Sequence, residues 1–157
     1  MTVWRLMETL KERLEVVFSS YRLKNEGGLL VPLNFYLQNL PAPKRNDDTP
    51  IFPHVVIRFE QSRDEGYETA YADVLFIAGV FDDDSEYQGY QDVMSILEKI
   101  RQEFLRDHMA DGRFWLEFPL TVLTSDDFSA SAYPYFFGVV ESKWRIPVMT
   151  QNLEWCE

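Results

Sequence analysis

Apolar side chains recur every three to four positions in two stretches of this chain, and every second position in much of what lies between and after them. That change of period restricts the chain to a sheet with helices laid on it. Val3, Leu6, Met7, Leu10, Leu14, Val17 and Phe18 stand at helical spacing, with Glu8, Lys11, Glu12 and Glu15 between them. The pattern predicts an amphipathic helix of about four turns, with Thr2 as its cap. It should stop before Asn25-Glu26-Gly27-Gly28, where two glycines mark a turn. The second helical stretch follows Asp82-Asp83-Asp84-Ser85. Ser85 and Gln88 form a Ser-x-x-Gln capping box, the aspartates suit the positive end of a helix dipole, and Tyr90, Val93, Leu97, Ile100 and Phe104 follow at spacings of three and four. A helix is expected over about 86–109, stopped by Asp111-Gly112.

The remaining periodic segments read as strands. Leu29–Leu37 is apolar but broken by Pro32, which fits an edge strand or an irregular extended segment. Val55, Ile57 and Phe59 alternate with Val56, Arg58 and Glu60 over 52–60. Residues 69–81 begin polar and end apolar on both sides, as expected of a strand covered on both faces at that end. Residues 61–68 between them, with Arg63-Asp64-Glu65-Gly66, read as a hairpin turn. Phe114, Leu116, Phe118 and Leu120 mark another strand; after a loop at 124–131, a long one runs from Tyr133 to about Val148, with Phe136, Val140, Trp144, Ile146 and Val148 on its inner face. The predicted fold class is α+β: a mostly antiparallel sheet with two helices packed on it, in the order α-β-β-β-α-β-β. One domain is expected over 1–149, with a C-terminal tail over 150–157, and a loop at 41–50 rich in proline and charge.

Composition narrows the function. The net charge is -11, and no cluster of Lys and Arg offers the counterion-displacing surface that sequence-reading nucleic-acid binding needs. The same charge suits a wall past which DNA slides without sticking. The 12 Phe, 8 Tyr and 4 Trp exceed what a modest core absorbs, which points to a partner surface. Met1–Leu10 carries Glu8 and no long apolar run, so neither a signal peptide nor a membrane span is expected, and the single Cys156 fits a reducing compartment; both point to the cytoplasm.

The residue types that carry chemistry do not converge. His54 and His108 have no Cys, Asp or Glu at ligand spacing on their own elements, which argues against zinc. The run Asp82–Glu86 lacks the glycine of a calcium loop and enters a helix too soon. No phosphate-binding glycine pattern and no nucleophile elbow occurs, and Cys156 is a poor nucleophile candidate. No cofactor and no metal are expected, and assembly is expected in place of catalysis.

Beyond these readings, several phrases carry a family likeness. They are the amphipathic first helix and the extended segment ending in a proline-rich loop. Next come Phe52-Pro53-His54-Val55-Val56-Ile57, the strand ending Val80-Phe81-Asp82, and Tyr87-Gln88-Gly89-Tyr90-Gln91-Asp92-Val93. The last is Tyr133-Pro134-Tyr135-Phe136-Phe137-Gly138 through Glu141-Ser142-Lys143-Trp144. In this layout the chain resembles the tail-terminator, or tail-completion, proteins of tailed bacteriophages and prophages, the lambda U-like group. It is longer than the small terminators, by the loop at 40–50 and the tail at 150–157.

The resemblance implies a subunit of a ring, usually a hexamer, that caps the tail tube and faces the head. Its partners would be copies of itself, the tail-tube protein and a head-completion protein, in a virion tail assembled in the bacterial host cytoplasm. It also nominates Asp82, Asp83, Asp84 and Glu86 as lumen residues, and Pro41, Pro43, Lys44, Arg45 and Trp155 as docking residues. The acidic run serves equally as the start of the second helix. A cytoplasmic protein-binding module, such as an immunity or adaptor protein with an acidic surface, is the alternative.

Overall fold

The computed structural model describes residues 2–42, 50–83, 89–124 and 133–149. In chain order its elements are α1 (Thr2–Val17), β1 (Arg22–Lys24), β2 (Leu30–Pro32), β3 (Asn34–Leu37), β4 (His54–Asp64), β5 (Ala70–Phe81), α2 (Gly89–Arg106), β6 (Met109–Ala110), β7 (Phe114–Leu123) and β8 (Tyr135–Ile146). The main sheet runs β3-β4-β5-β8-β7-β6, antiparallel except where the edge strand β3 lies parallel to β4. The fold is α+β, as the change of period implies.

Strand β5 is the middle of the structure, paired along most of its length with β4 on one side and β8 on the other. Its alternate residues Ala72, Val74, Phe76, Ala78 and Val80 are buried against the helices, as are Val55 and Ile57 of β4 and Phe136, Val140 and Trp144 of β8. Both helices therefore lie on one face of the sheet: α2 against β8, β5 and β7, and α1 against β3 and β4. In the middle of this layer Phe104 meets Phe76 at 5.0 Å and stands edge-on to Trp144 at 5.4 Å. The indole N–H of Trp144 donates to Ser142 Oγ at 2.9 Å, and that hydroxyl donates to the Val74 carbonyl at 2.7 Å, so the buried polar atoms are satisfied.

Two glycines set how closely α2 approaches. A Cβ on Gly138 would stand 2.6 Å from Leu97 Cδ1 and 2.7 Å from Val93 Cγ1, and one on Gly89 would enter the Phe136 ring. At its other end α2 stops sooner than the pattern predicts. Arg13 of α1 donates to the carbonyls of Glu103, Asp107 and Met109 at 3.2, 2.8 and 3.0 Å, and Asp107 Oδ1 accepts the Met109 N–H at 3.1 Å. These groups satisfy the helix end at Arg106, and Asp111-Gly112, expected as the helix stop, instead turns β6 into β7. Both turn residues take positive φ, 53° and 64°, and Arg113 N–H closes the turn on the Ala110 carbonyl at 3.2 Å.

Other expectations shift for similar reasons. The Gly27-Gly28 turn is the tip of a β1–β2 hairpin, and Leu29–Leu37 divides into β2 and the edge strand β3, giving five strands before α2 instead of three. The hairpin between β4 and β5 is tighter than 61–68, closing with Glu65 N–H on the Thr69 carbonyl. β8 ends at Ile146, short of Val148. The capping box at 85–88, most of the loop at 41–50 and the tail at 150–157 lie outside the described residues.

The tight α2–β8 contact makes a testable demand. Gly138→Ala should cost about 1–3 kcal/mol, the usual range for overpacking a filled core, read as a lower urea midpoint at unchanged slope.

Candidate functional site

The two described members of the acidic run, Asp82 and Asp83, leave the end of β5 and line a groove of about 430 Å³. Leu23, Lys24, Gly28 and Leu30 of the β1–β2 hairpin form one wall, and Asp92 in the first turn of α2 joins from the other. The backbone here is held by the Asp82 N–H donating to the Pro134 carbonyl at 2.9 Å and by the Tyr133 hydroxyl donating to the Asp83 carbonyl. Burial, and after it the charge of Asp82, pushes the Asp92 carboxyl above the ordinary carboxylate range. The groove thus gathers three carboxylates, with one cation, Lys24, in its hairpin wall and an apolar lip.

Of the residues nominated from sequence, the fold brings Asp82 and Asp83 together and adds Asp92, which sequence reasoning missed. Its signal was only an acid in a helix first turn, and nothing linear tied that turn to the end of β5. Pro41 is exposed beyond β3, away from this groove. Asp84, Glu86, Pro43, Lys44, Arg45 and Trp155 lie outside the described residues.

The sheet face turned away from the helices has two halves. In one, Phe52 and His54 fold over the ends of β5 and β8: the Phe52 ring lies 4.6 Å from His54, 5.0 Å from Tyr135 and 5.8 Å from Phe137. His54 is 1% exposed and lies over Gly79, where a Cβ would come within 2.6 Å of its ring. Among the described residues, the apolar end of β5 is therefore covered on its outer side by these side chains. The Ile51 carbonyl lies 3.2 Å from His54 Nδ1, and burial lowers the His54 pKa to about 4.

The other half of that face is a lattice of charge. Arg63 pairs with Asp73 at 2.9 Å and with Glu65 at 2.8 Å, Lys143 stands 4.2 Å over the Tyr71 ring, and Arg145 pairs with Glu117 at 3.0 Å.

Besides scattered single side chains such as Val16, Tyr67 and Met149, large apolar residues are exposed near one another in three places. Leu29 and Leu30 project from the hairpin. Met94 of α2, with Val122 of β7, lines a groove of about 440 Å³. At the opposite end of the sheet Met109, Trp115 and Phe118 surround His108, whose ring stands edge-on to Trp115 at 6.2 Å and to Phe118 at 5.8 Å. Among the described residues neither histidine bonds a carboxylate or a hydroxyl, and no three His, Cys, Asp or Glu side chains are grouped to hold a metal ion. No helix among the described residues is long and apolar enough to cross a membrane.

Two titrations test this description. The folded His54 pKa lies below the unfolded value, so the unfolded chain binds more protons in between, and stability present above pH 6.5 is lost as pH falls toward 4. The loss should reach about 3 kcal/mol in urea unfolding, and His54→Gln should remove that part of the slope. Asp92 is shifted the other way, so its ionised form opposes folding. Asp92→Asn should raise the Tm at neutral pH, with the gain vanishing in acid, where both states are protonated.

Searched against models of protein families and against curated proteins, the chain matches none.

Proposed function

We propose that the chain is a subunit of a ring at the head–tail junction of a phage or prophage tail, a tail-terminator or tail-completion protein. The observation that carries this reading is the presence of unlike apolar surfaces at opposite ends of one sheet: the hairpin and α2 groove at one, the Met109–Trp115–Phe118 corner at the other. A ring with an axial partner needs unlike patches, because a head-to-tail contact joins two different surfaces and the tube or head must meet a third. A self-complementary dimer needs one patch. The net charge of -11, with Asp82, Asp83 and Asp92 gathered in one groove, supports a lumen that lets DNA pass. The family likeness of the chain's layout supports the same reading.

A module that meets a basic partner, such as an immunity or adaptor protein, is the second reading, favoured by the acidic groove with Leu30 on its lip. The two differ in what they assemble on. Purified protein mixed with preformed tail tubes of the element that encodes it should cap the tube ends in negative-stain electron micrographs. Bare ends, with light scattering showing a monomer, would overturn the ring reading in favour of the binding module.

A further inference from the structure

We propose that the Asp111-Gly112 step in the β6–β7 turn is a site of spontaneous backbone isomerisation to isoaspartate, and that Arg5 and Arg113 set its rate by gripping the Asp111 carboxylate. This chemistry belongs to the isolated chain and stands whether or not that chain joins a ring.

The step is open to attack. It is the one Asp-Gly pair in the sequence, and both residues are exposed in a two-residue turn at φ 53° and 64°. Glycine suits the turn because positive φ costs it little. The same missing side chain leaves its nitrogen unscreened, and a Cβ on Gly112 would meet nothing within 4 Å, so a ring closing at this nitrogen has room. The reaction needs only water. The Gly112 nitrogen attacks Asp111 Cγ, a C–N bond forms, and the carboxyl hydroxyl leaves with the amide hydrogen as water. Addition of water to the resulting succinimide at Cγ restores aspartate. Addition at the Asp111 main-chain carbonyl breaks that carbon's bond to nitrogen and leaves the chain running through Cγ, one methylene longer.

What holds the carboxyl governs the first step, because a carboxylic acid can lose hydroxyl whereas a carboxylate does not readily lose oxide. Arg5 Nε of α1 donates to Asp111 Oδ2 at 3.3 Å, and Arg113 Nη2 donates to the same oxygen at 3.0 Å. These two guanidiniums, Arg5 first, hold the Asp111 carboxyl below the ordinary carboxylate range. Glu8, which pairs with Arg5 at 3.6 Å, and Glu12 are the acids that act on Arg5 from α1 itself. The grip thus keeps Asp111 in its unreactive form.

Isomerisation undoes more than the turn. The Arg5–Asp111 bond joins residues 106 positions apart, and with the Arg13 clamp it ties α1 to this end of the sheet. The turn also sets β6 on β7, pairing Met109 with Trp115 and Ala110 with Phe114, so it carries part of the apolar corner around His108. A methylene added to the main chain between Ala110 and Arg113 displaces that short ladder, and the Arg113 N–H loses its Ala110 acceptor. The modified chain therefore keeps its core and loses the shape of one exposed apolar surface.

Ageing the full chain in its folded state, at neutral pH and physiological temperature over weeks, tests both parts. Isoaspartate is read as methyl transfer by an isoaspartyl methyltransferase and located by mass spectrometry of the turn peptide. The wild type should accumulate it at Asp111. Arg5→Ala with Arg113→Ala should raise the rate about threefold or more, solvent screening keeping the effect modest. Asp111→Glu, which would have to close a larger and slower-forming ring, should show almost none. A pH series separates grip from mere loosening. Removing the arginines should move the fall-off in rate to higher pH, whereas a loosened turn raises the rate at every pH alike. No isoaspartate at Asp111 in either protein would overturn the site. Equal rates, or a rise of the same size at every pH, would overturn the role of the arginines.

Discussion

The structure depends on how closely α2 lies on β8. Gly138 and Gly89 carry no side chain where Leu97, Val93 and the Phe136 ring pass, and this closeness lets Phe104 reach both Phe76 and Trp144. With α2 seated there, the position of the acidic groove on one flank and of the Met94 groove on the other follows from geometry. The Arg13 clamp fixes the far end of the same helix, binding it to α1 and to β6 through three backbone carbonyls. Two helices and a sheet edge are thus joined at one guanidinium, whose planar fork can serve several acceptors at once.

Because both helices cover one face, the other face must satisfy itself. The half near β4 and the start of β8 does so with aromatic side chains folded over a buried, neutral histidine. The half near the β4–β5 turn does so with cross-strand ion pairs and a lysine on a tyrosine ring. Surface pairs of this kind contribute little to stability individually, so this half stays wettable at small energetic cost. Hydrophobic side chains that fit neither solution end up exposed at the corners, and those corners are where association is proposed.

The acidic character acts at two scales. Over the whole chain it disfavours contact with nucleic acid. In the groove it is local: Asp82 and Asp83 from the end of a strand meet Asp92 from the first turn of a helix, and burial raises the cost of keeping Asp92 ionised. This gathering of carboxylates is the feature on which the proposed lumen rests.

Much of the fold was legible in the chain itself. Leu6, Leu10 and Leu14 announce the buried stripe of α1; Val93, Leu97, Ile100 and Phe104 that of α2; and Phe136, Val140 and Trp144 the inner face of β8, because period alone decides which side chains share a face. The class α+β and its mainly antiparallel sheet follow from that period. Local signals misled where a distant residue intervened: Asp111-Gly112 reads as a helix stop until Arg13, nearly a hundred positions away, ends the helix first. The parallel pairing of β3 with β4 and the strand order across the sheet also required the tertiary structure, since hydrogen bonds between strands leave no trace in linear spacing. So did the site. By itself the sequence determined the faces and the net charge, which are properties of neighbouring residues. Only the folded chain decided that Asp92 joins Asp82 and that Arg13 closes the end of α2, because those are distances between residues far apart in the chain.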